Sequence, residues 1–262
     1  MKKGSHVNDK ADIFSCGCLF YWLLTDGKHP FDPVDDRDLN MQSSKYDLSS
    51  VAQNPSQKHL IESMISNSPA QRPSSSAVLA HPVFWDDMKK QHFLVECAKK
   101  LEEEKEQYKP IWKAPTVKKL NSINLQLIIN DDKYDTWAEK ISEEDPEVWD
   151  DLISGGANYN GKFLDQLLRA MRNKCSHPIG NMTDEAKAKY PNHAFLSSYF
   201  TQKFPSLILH LYLAFEDLKN DIQFKNYYDQ DFTWKIIGKR IRKRKSKLGN
   251  LQGELNKSKR LI

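Results

Sequence analysis

Between Asp9 and Thr25 the chain crowds apolar side chains onto one short segment: Ile13, Phe14, Gly17, Leu19, Phe20, Trp22, Leu23 and Leu24. Apolarity on every side predicts a helix buried inside a domain, with other elements packed around it. Asp12, or Asp9 before it, offers the N-terminal cap, and Asp26-Gly27 offers the stop. The uninterrupted apolar run from Gly17 to Leu24 is far shorter than the roughly 18 residues needed to cross a bilayer. The preceding DKADIFS also lacks the basic start of a signal peptide.

Helix is the expectation elsewhere as well. The 262 residues include only 10 glycines, and the charged stretches are rich in Lys, Glu, Leu and Ala, which favours an all-α protein over a turn-rich β architecture. Leu60, Ile61, Met64 and Ile65 mark an amphipathic helix ended by Asn67-Ser68-Pro69. Ser74 after Pro73 caps another, which stops near His81-Pro82. From Asp86, the residues Met88, Phe93, Leu94, Cys97, Ala98 and Leu101 recur near helical spacing opposite a charged KKLEEEKE, predicting one long helix. Residues 109–118 form a proline-broken connector. Leu120 to Ile129 reads as strand or helix, and further helices follow to about Leu218.

Four cysteines (Cys16, Cys18, Cys97, Cys175) make no zinc pattern and read as thiols in a reducing compartment. The net charge of +4 conceals an asymmetry. Residues 235–262 hold eleven Lys/Arg and one Glu, a tail of +10, so by subtraction residues 1–234 carry −6. Bulk charge of the folded part therefore does not drive nucleic-acid binding; a local patch or the tail has to. The tail, low in apolar residues, is expected to be disordered from about residue 229.

The first segment resembles the C-terminal half of a protein-kinase C-lobe. DIFSCG matches the D-x-x-S-x-G start of the central kinase helix, GKHPFD the loop after it, and Gln71-Arg72-Pro73 with AHPVFW the last kinase helices. No G-x-G-x-x-G loop, V-A-I-K lysine, H-R-D or D-F-G is present. Kinase activity is thus not expected from this chain, and nucleotide and magnesium are expected only where a complete kinase domain exists. The resemblance implies that Arg72 pairs with a glutamate ahead of residue 1, so the chain reads as part of a longer one.

The chemistry concentrates between Trp137 and Pro205. Leu164, Leu167, Leu168 and Met171 lie at i, i+3, i+4 and i+7, giving one buried stripe. Arg169, Arg172 and Asn173 fall toward its rim, Lys174 continues the basic cluster, and His177 stands just beyond the last turn before Pro178. These residues admit two readings. One is a phosphodiester site, in which a guanidinium and an amide hold phosphate oxygens and an imidazole with an ordinary value near ~6.5 gives a proton to the leaving oxygen. RNA would supply its own 2′-hydroxyl nucleophile. In the other reading, Arg172 is a surface cation at a helix end and His177 a cap.

LLRAMRNKCSHP (Leu167 to Pro178) and YFTQKFPSLILHLY (Tyr199 to Tyr212) closely resemble the kinase-extension ribonucleases. That family comprises the inositol-requiring kinase/endoribonucleases of the unfolded protein response and RNase L. The HPVFW junction, the helix ending in KKLEEE and the D-x-W at Asp135 to Trp137 support it, as does the order kinase then ribonuclease. The resemblance implies three parts: a partial kinase C-lobe over 1–87, a helical ribonuclease domain over 88–228, and a basic tail over 229–262. It places Tyr159 on the family's proposed general base, Arg172 and Asn173 on the pair contacting the phosphate, and His177 on the proposed general acid. Trp137 matches an aromatic near the site, and Arg169 and Lys174 are candidate substrate contacts.

The implied activity is metal-independent endoribonuclease cleavage leaving a 2′,3′-cyclic phosphate and a 5′-hydroxyl, with RNA as partner, no cofactor, and a homodimer or higher oligomer through the ribonuclease domain. The expected location is cytoplasmic, or the cytosolic face of the endoplasmic reticulum if the parent chain is anchored. The alternative is a catalytically silent module that dimerises or binds RNA. One departure stands out: where the family has an acid six residues before the catalytic arginine, this chain has Gln166, with Asp165 beside it. Neighbours on a helix point about 100° apart, so Asp165 does not substitute. His210, among Leu207, Ile208, Leu211 and Leu213, reads as a packed histidine. Trp112, Trp149 and Trp234 are able to stack bases, but Trp149 reads as a core anchor.

Overall fold

A computed structural model describes residues 6–176, 183–189 and 193–234, and these residues form helices and connecting turns without a strand. The kinase-like segment supplies α1 (His6–Leu24), α2 (Arg37–Ser43), α3 (Pro55–Met64) and α4 (Ser75–Ala80). The long α5 (Asp87–Gln107) follows, then α6 (Pro115–Asn121), α7 (Gln126–Ile129), α8 (Trp137–Glu144) and α9 (Pro146–Ile153). The remainder is α10 (Leu164–Ser176), α11 (Asp184–Lys189), α12 (His193–Lys203) and α13 (Leu207–Phe215). None of the described helices is long and apolar enough to cross a membrane.

Local chemistry sets the helix starts. Asn54, Ser74 and Asp86 each accept the main-chain N–H three residues on, capping α3, α4 and α5. Thr136 and Glu139 form a reciprocal capping box at the start of α8. The proline-broken connector holds a single 3₁₀ turn (Ile111–Lys113), and Pro115 then opens α6, since proline at a first helical position forgoes no hydrogen bond. The segment left open between strand and helix holds two helical pieces joined by a turn: Leu120 and Asn121 are the last residues of α6, and α7 takes Gln126 to Ile129.

One core runs through both parts. Ile13, Leu60, Met64, Ala77 and Trp85 from the kinase-like segment join Phe93, Leu120, Leu168, Phe200 and Tyr212 in a continuous buried cluster. A smaller cluster of Tyr21, Phe31, Leu48, Val51, Ile61 and Ile65 closes the other side of α3. α1 crosses α3 closely, because a Cβ on Gly17 would stand 2.8 Å from both Ile65 Cγ2 and Met64 Cβ.

Two expectations are corrected. α1 is not buried all round: Ile13, Gly17 and Tyr21, four residues apart, face inward, whereas Leu19, Trp22, Leu23 and Leu24 are 47–61% exposed. No described element packs over that second face. The chain also stays ordered beyond residue 228. Trp234 is buried, with its main-chain N–H donating to Glu216 at 2.7 Å and its indole N–H to the Tyr212 hydroxyl at 3.2 Å. The basic stretch 235–262 lies outside the described residues.

Within the described residues, Arg72 is held by main-chain carbonyls and an aromatic ring. Its Nε donates to Ser66 O at 2.7 Å and its Nη1 to Lys10 O at 2.8 Å, while its guanidinium sits 4.7 Å over the Phe14 ring. Main-chain carbonyls thus occupy the fork.

Candidate active site

The stripe at Leu164, Leu167, Leu168 and Met171 is buried, so α10 lies against α5 and α6 with Arg169, Arg172, Asn173 and Lys174 along its rim. The segment between α9 and α10 brings in Tyr159. Trp137 holds that segment: its main-chain N–H donates to Gly161 O at 3.3 Å and its indole N–H to Phe163 O at 3.0 Å. Gly161 is required there, because a Cβ would stand 2.6 Å from Ala138 Cβ and 3.0 Å from Thr136. The Tyr159 ring lies 6.3 Å from Trp137, itself 6.2 Å from Trp149.

Tyr159, Asn173 and Arg172 form a hydrogen-bonded row. Arg172 Nη2 donates to Asn173 Oδ1 at 2.9 Å, and Asn173 Nδ2 donates to the Tyr159 hydroxyl oxygen at 2.9 Å. A guanidinium carries donors only, so the amide oxygen has to face Arg172 and the amide N–H end has to face the phenol. The amide thereby passes the orientation of the cation on to the phenol oxygen. Arg172 Nη1 pairs with Glu102 of α5 at 3.1 Å, while its buried Nε finds no hydrogen-bond partner among the described residues.

The other candidates occupy different settings. Trp137 is fully buried, so it supports Tyr159 from the core and presents no face to a substrate. Lys174 pairs with Asp151 at 2.8 Å, with only 14% and 5% of the two side chains exposed, and reaches Ser154 Oγ at 3.2 Å. It fastens α10 to α9. Arg169 stacks 5.4 Å from the Tyr159 ring centre and donates to Asn158 O and Gln166 Oε1, each at 3.3 Å. Gln166 turns its amide N–H to Asp165 at 2.8 Å. His177 lies outside the described residues.

Below the site, Asp145 joins α8–α9 to α11 and α12. Burial raises its carboxyl, but Lys189 at 2.8 Å, Lys203 and the Tyr199 hydroxyl at 2.8 Å outweigh that and hold it below the usual range. His210 is a packed histidine, its Nδ1 2.9 Å from Ser206 O, with burial lowering its basicity. Trp149 packs against the core, Trp234 is buried, and Trp112 is exposed.

Sequence reasoning missed three acids: Glu102 and Asp151, which pair with Arg172 and Lys174, and Glu104, which anchors the start of α6. Glu102 sits four residues after buried Ala98, and Glu104, three after Leu101, is itself buried, bonding the Thr116 main-chain N–H and hydroxyl. Both follow the apolar spacing of α5, which was the available signal. Asp151 follows Val148 by three residues in the same way.

A helical ribonuclease-type domain, built onto a kinase-like helical segment and carrying a phenol–amide–guanidinium row, is the class these features define. The chain belongs to the Ribonuclease 2-5A family, whose profile matches residues 90–228. It is 36% identical over 227 residues to the probable serine/threonine-protein kinase ireA of Dictyostelium discoideum, covering 84% of this chain and 21% of the relative. It is 33% identical over 227 residues to the human serine/threonine-protein kinase/endoribonuclease IRE2, covering 84% and 23%. The corresponding ire-1 of Caenorhabditis elegans is 32% identical over 226 residues, covering 84% and 22%. Alignments of this length exceed the ribonuclease region and take in the kinase-like segment. The chain spans about a fifth of the length of these curated relatives.

Proposed function

We propose that this chain is a metal-independent endoribonuclease that cleaves RNA by attack of a 2′-hydroxyl on the adjacent phosphate, leaving a 2′,3′-cyclic phosphate and a 5′-hydroxyl. The observation carrying this reading is the continuous row Tyr159–Asn173–Arg172, three residues of three different chemistries joined by two 2.9 Å hydrogen bonds. Arg172 and Asn173 hold the non-bridging oxygens as charge grows on them. Tyr159, acting as its phenolate, takes the proton from the 2′-hydroxyl, and His177, assigned by resemblance, gives one to the departing 5′-oxygen. Because the nucleophile belongs to the substrate, the protein supplies only positioning, charge and proton transfer. The family and the endoribonuclease names of two relatives support the same reading.

In this reading the ribonuclease domain works as a homodimer or higher oligomer, in the cytoplasm or at the cytosolic face of the endoplasmic reticulum. Incubating the chain with stem-loop RNA in excess EDTA tests the chemistry. Fragments with cyclic-phosphate and 5′-hydroxyl ends, lost in Tyr159→Phe and His177→Ala, are the expected result. The Glu102–Arg172 ion pair favours the competing reading, a silent RNA-binding module, because it engages the guanidinium that the chemistry needs. Intact RNA retained by wild type after prolonged incubation would establish that reading instead.

A further inference from the structure

The cations of α10 differ in what neutralises them. Arg172 has Glu102 at 3.1 Å, and Lys174 has the buried Asp151 at 2.8 Å. Arg169 has no carboxylate within ion-pair distance among the described residues; its partners are a main-chain carbonyl and the neutral oxygen of Gln166. The helix offers Arg169 an obvious acid in Asp165, four residues earlier, the spacing at which helical ion pairs form. Gln166 prevents that pairing. Its amide N–H holds the Asp165 carboxylate at 2.8 Å while its oxygen receives Arg169 at 3.3 Å, so one side chain separates the two charges.

The position of this unneutralised charge is also informative. Arg169 lies one helical turn before Arg172 and is stacked over the ring whose hydroxyl ends the row, so its guanidinium borders the reacting groups. A half-buried guanidinium held over an aromatic ring, with no carboxylate to displace among the described residues, is prepared to grip a phosphate through its fork. The body of the chain is acidic, at −6 over residues 1–234, so local positive charge at this rim has to be protected from nearby acids to attract an anion.

We infer that Arg169 is a substrate-contacting residue that holds a backbone phosphate of single-stranded RNA next to the scissile one, and that Gln166 tunes this contact by keeping Asp165 away from it. The inference rests on the RNA-cleaving reading above and adds to it a second phosphate subsite with the residue that controls its charge.

The test is binding of the full chain to a stem-loop RNA carrying a 2′-deoxy nucleotide at the cleavage position, followed by fluorescence anisotropy over a range of salt. Without the nucleophile no cleavage interferes. Arg169→Gln is expected to weaken binding about tenfold. It should also reduce the slope of log affinity against log salt by about 0.7, the value for one single-strand phosphate contact. Gln166→Glu, which keeps the shape and places an acid in the first turn of α10 where the helix dipole favours it, is expected to do the same. In the double variant the two losses should not add, because the glutamate acts by neutralising Arg169.

Wild-type slope in Arg169→Gln, or additive losses in the double variant, overturns the inference while leaving the cleavage reading standing. Absence of RNA binding by wild type overturns both. Circular dichroism melts of each variant confirm that α10 stays folded.

Discussion

Acidification from pH 7.5 to 5.0 is expected to destabilise this protein through one buried imidazole. His81 is fully buried, 3.0 Å from His59 through its Nε2, and packed against Trp234 and Tyr212. The Val83 main-chain N–H donates to its Nδ1 at 3.3 Å, so that nitrogen is an acceptor and the ring proton sits on Nε2, pointing to His59 Nδ1. A second proton on His81 would confront the Val83 N–H and place a charge in the core. Burial first, and the neighbouring His59 second, accordingly push its value well below 6.5. In the unfolded chain the same ring binds a proton near pH ~6.5. As pH falls between those two values the unfolded state gains a proton that the folded state refuses, so stability declines. At pH 5.0, about 1.5 units below the unfolded value, the loss from this one group reaches up to about 2 kcal/mol. His210, also lowered by burial, adds in the same direction. Carboxylates held low, such as Asp145, contribute only below about pH 4, where their stabilisation is lost. Urea titrations followed by circular dichroism at the two pH values measure the difference. In His81→Asn, which keeps an acceptor for Val83, the pH-dependent part should shrink by about the same 2 kcal/mol, whatever the variant's stability at neutral pH. Equal stability of wild type at both pH values, or an unchanged difference in the variant, refutes the reasoning.

Three further outcomes follow from single contacts. Asn173→Ala removes the link between phenol and guanidinium; single-turnover cleavage should fall about 100-fold or more, and urea stability by about 1–2 kcal/mol. Gly17→Ala drives a methyl into Ile65 and Met64, and a loss of about 1–3 kcal/mol is expected, read from the shift of the urea midpoint. Trp234→Ala empties the slot between His59, His81 and Tyr212 and should cost about 3–5 kcal/mol, a value that unaltered stability would contradict.

The helices were legible because caps and apolar spacing are local signals. Ser74 caps where its sequence position implies, the long helix begins where the spacing after Asp86 starts, and the α10 stripe at Leu164, Leu167, Leu168 and Met171 is buried as its period requires. The second face of α1 was illegible for the opposite reason: Leu19, Trp22, Leu23 and Leu24 announce that they pack, but not against what, and burial is a property of neighbours. Trp234 was hidden by the lysines that follow it, since average composition over the C-terminal stretch conceals one anchored indole. In the site, Arg172 and Asn173 stood out at the rim of the α10 stripe with two readings open, Tyr159 and the choice between those readings came from resemblance, and the structure brings the three into one row. Charge pairing was the least legible layer. Nothing local in KKLEEEKE says that Glu102 meets Arg172 seventy residues later, or that Asp151 claims Lys174.

That pairing gives α5 two tasks. Its first half packs Phe93 and Leu94 into the core shared with Trp85 and Leu60 of the kinase-like segment, and its last turns present Glu102 to Arg172 and Glu104 to Thr116. A helix fixes the spacing of these positions, since each residue advances it about 1.5 Å along a rigid axis. The guanidinium of Arg172 is therefore referenced, through one carboxylate, to the packing of the kinase-like segment. The stacked Tyr159 is referenced instead to Trp137 and the α8–α9 layer. Asn173 is where the two frames meet, with one end of its amide on each. An error in either frame appears as a stretched bond at that amide, which is why the phenol–amide–guanidinium row depends on both halves of the core being folded together.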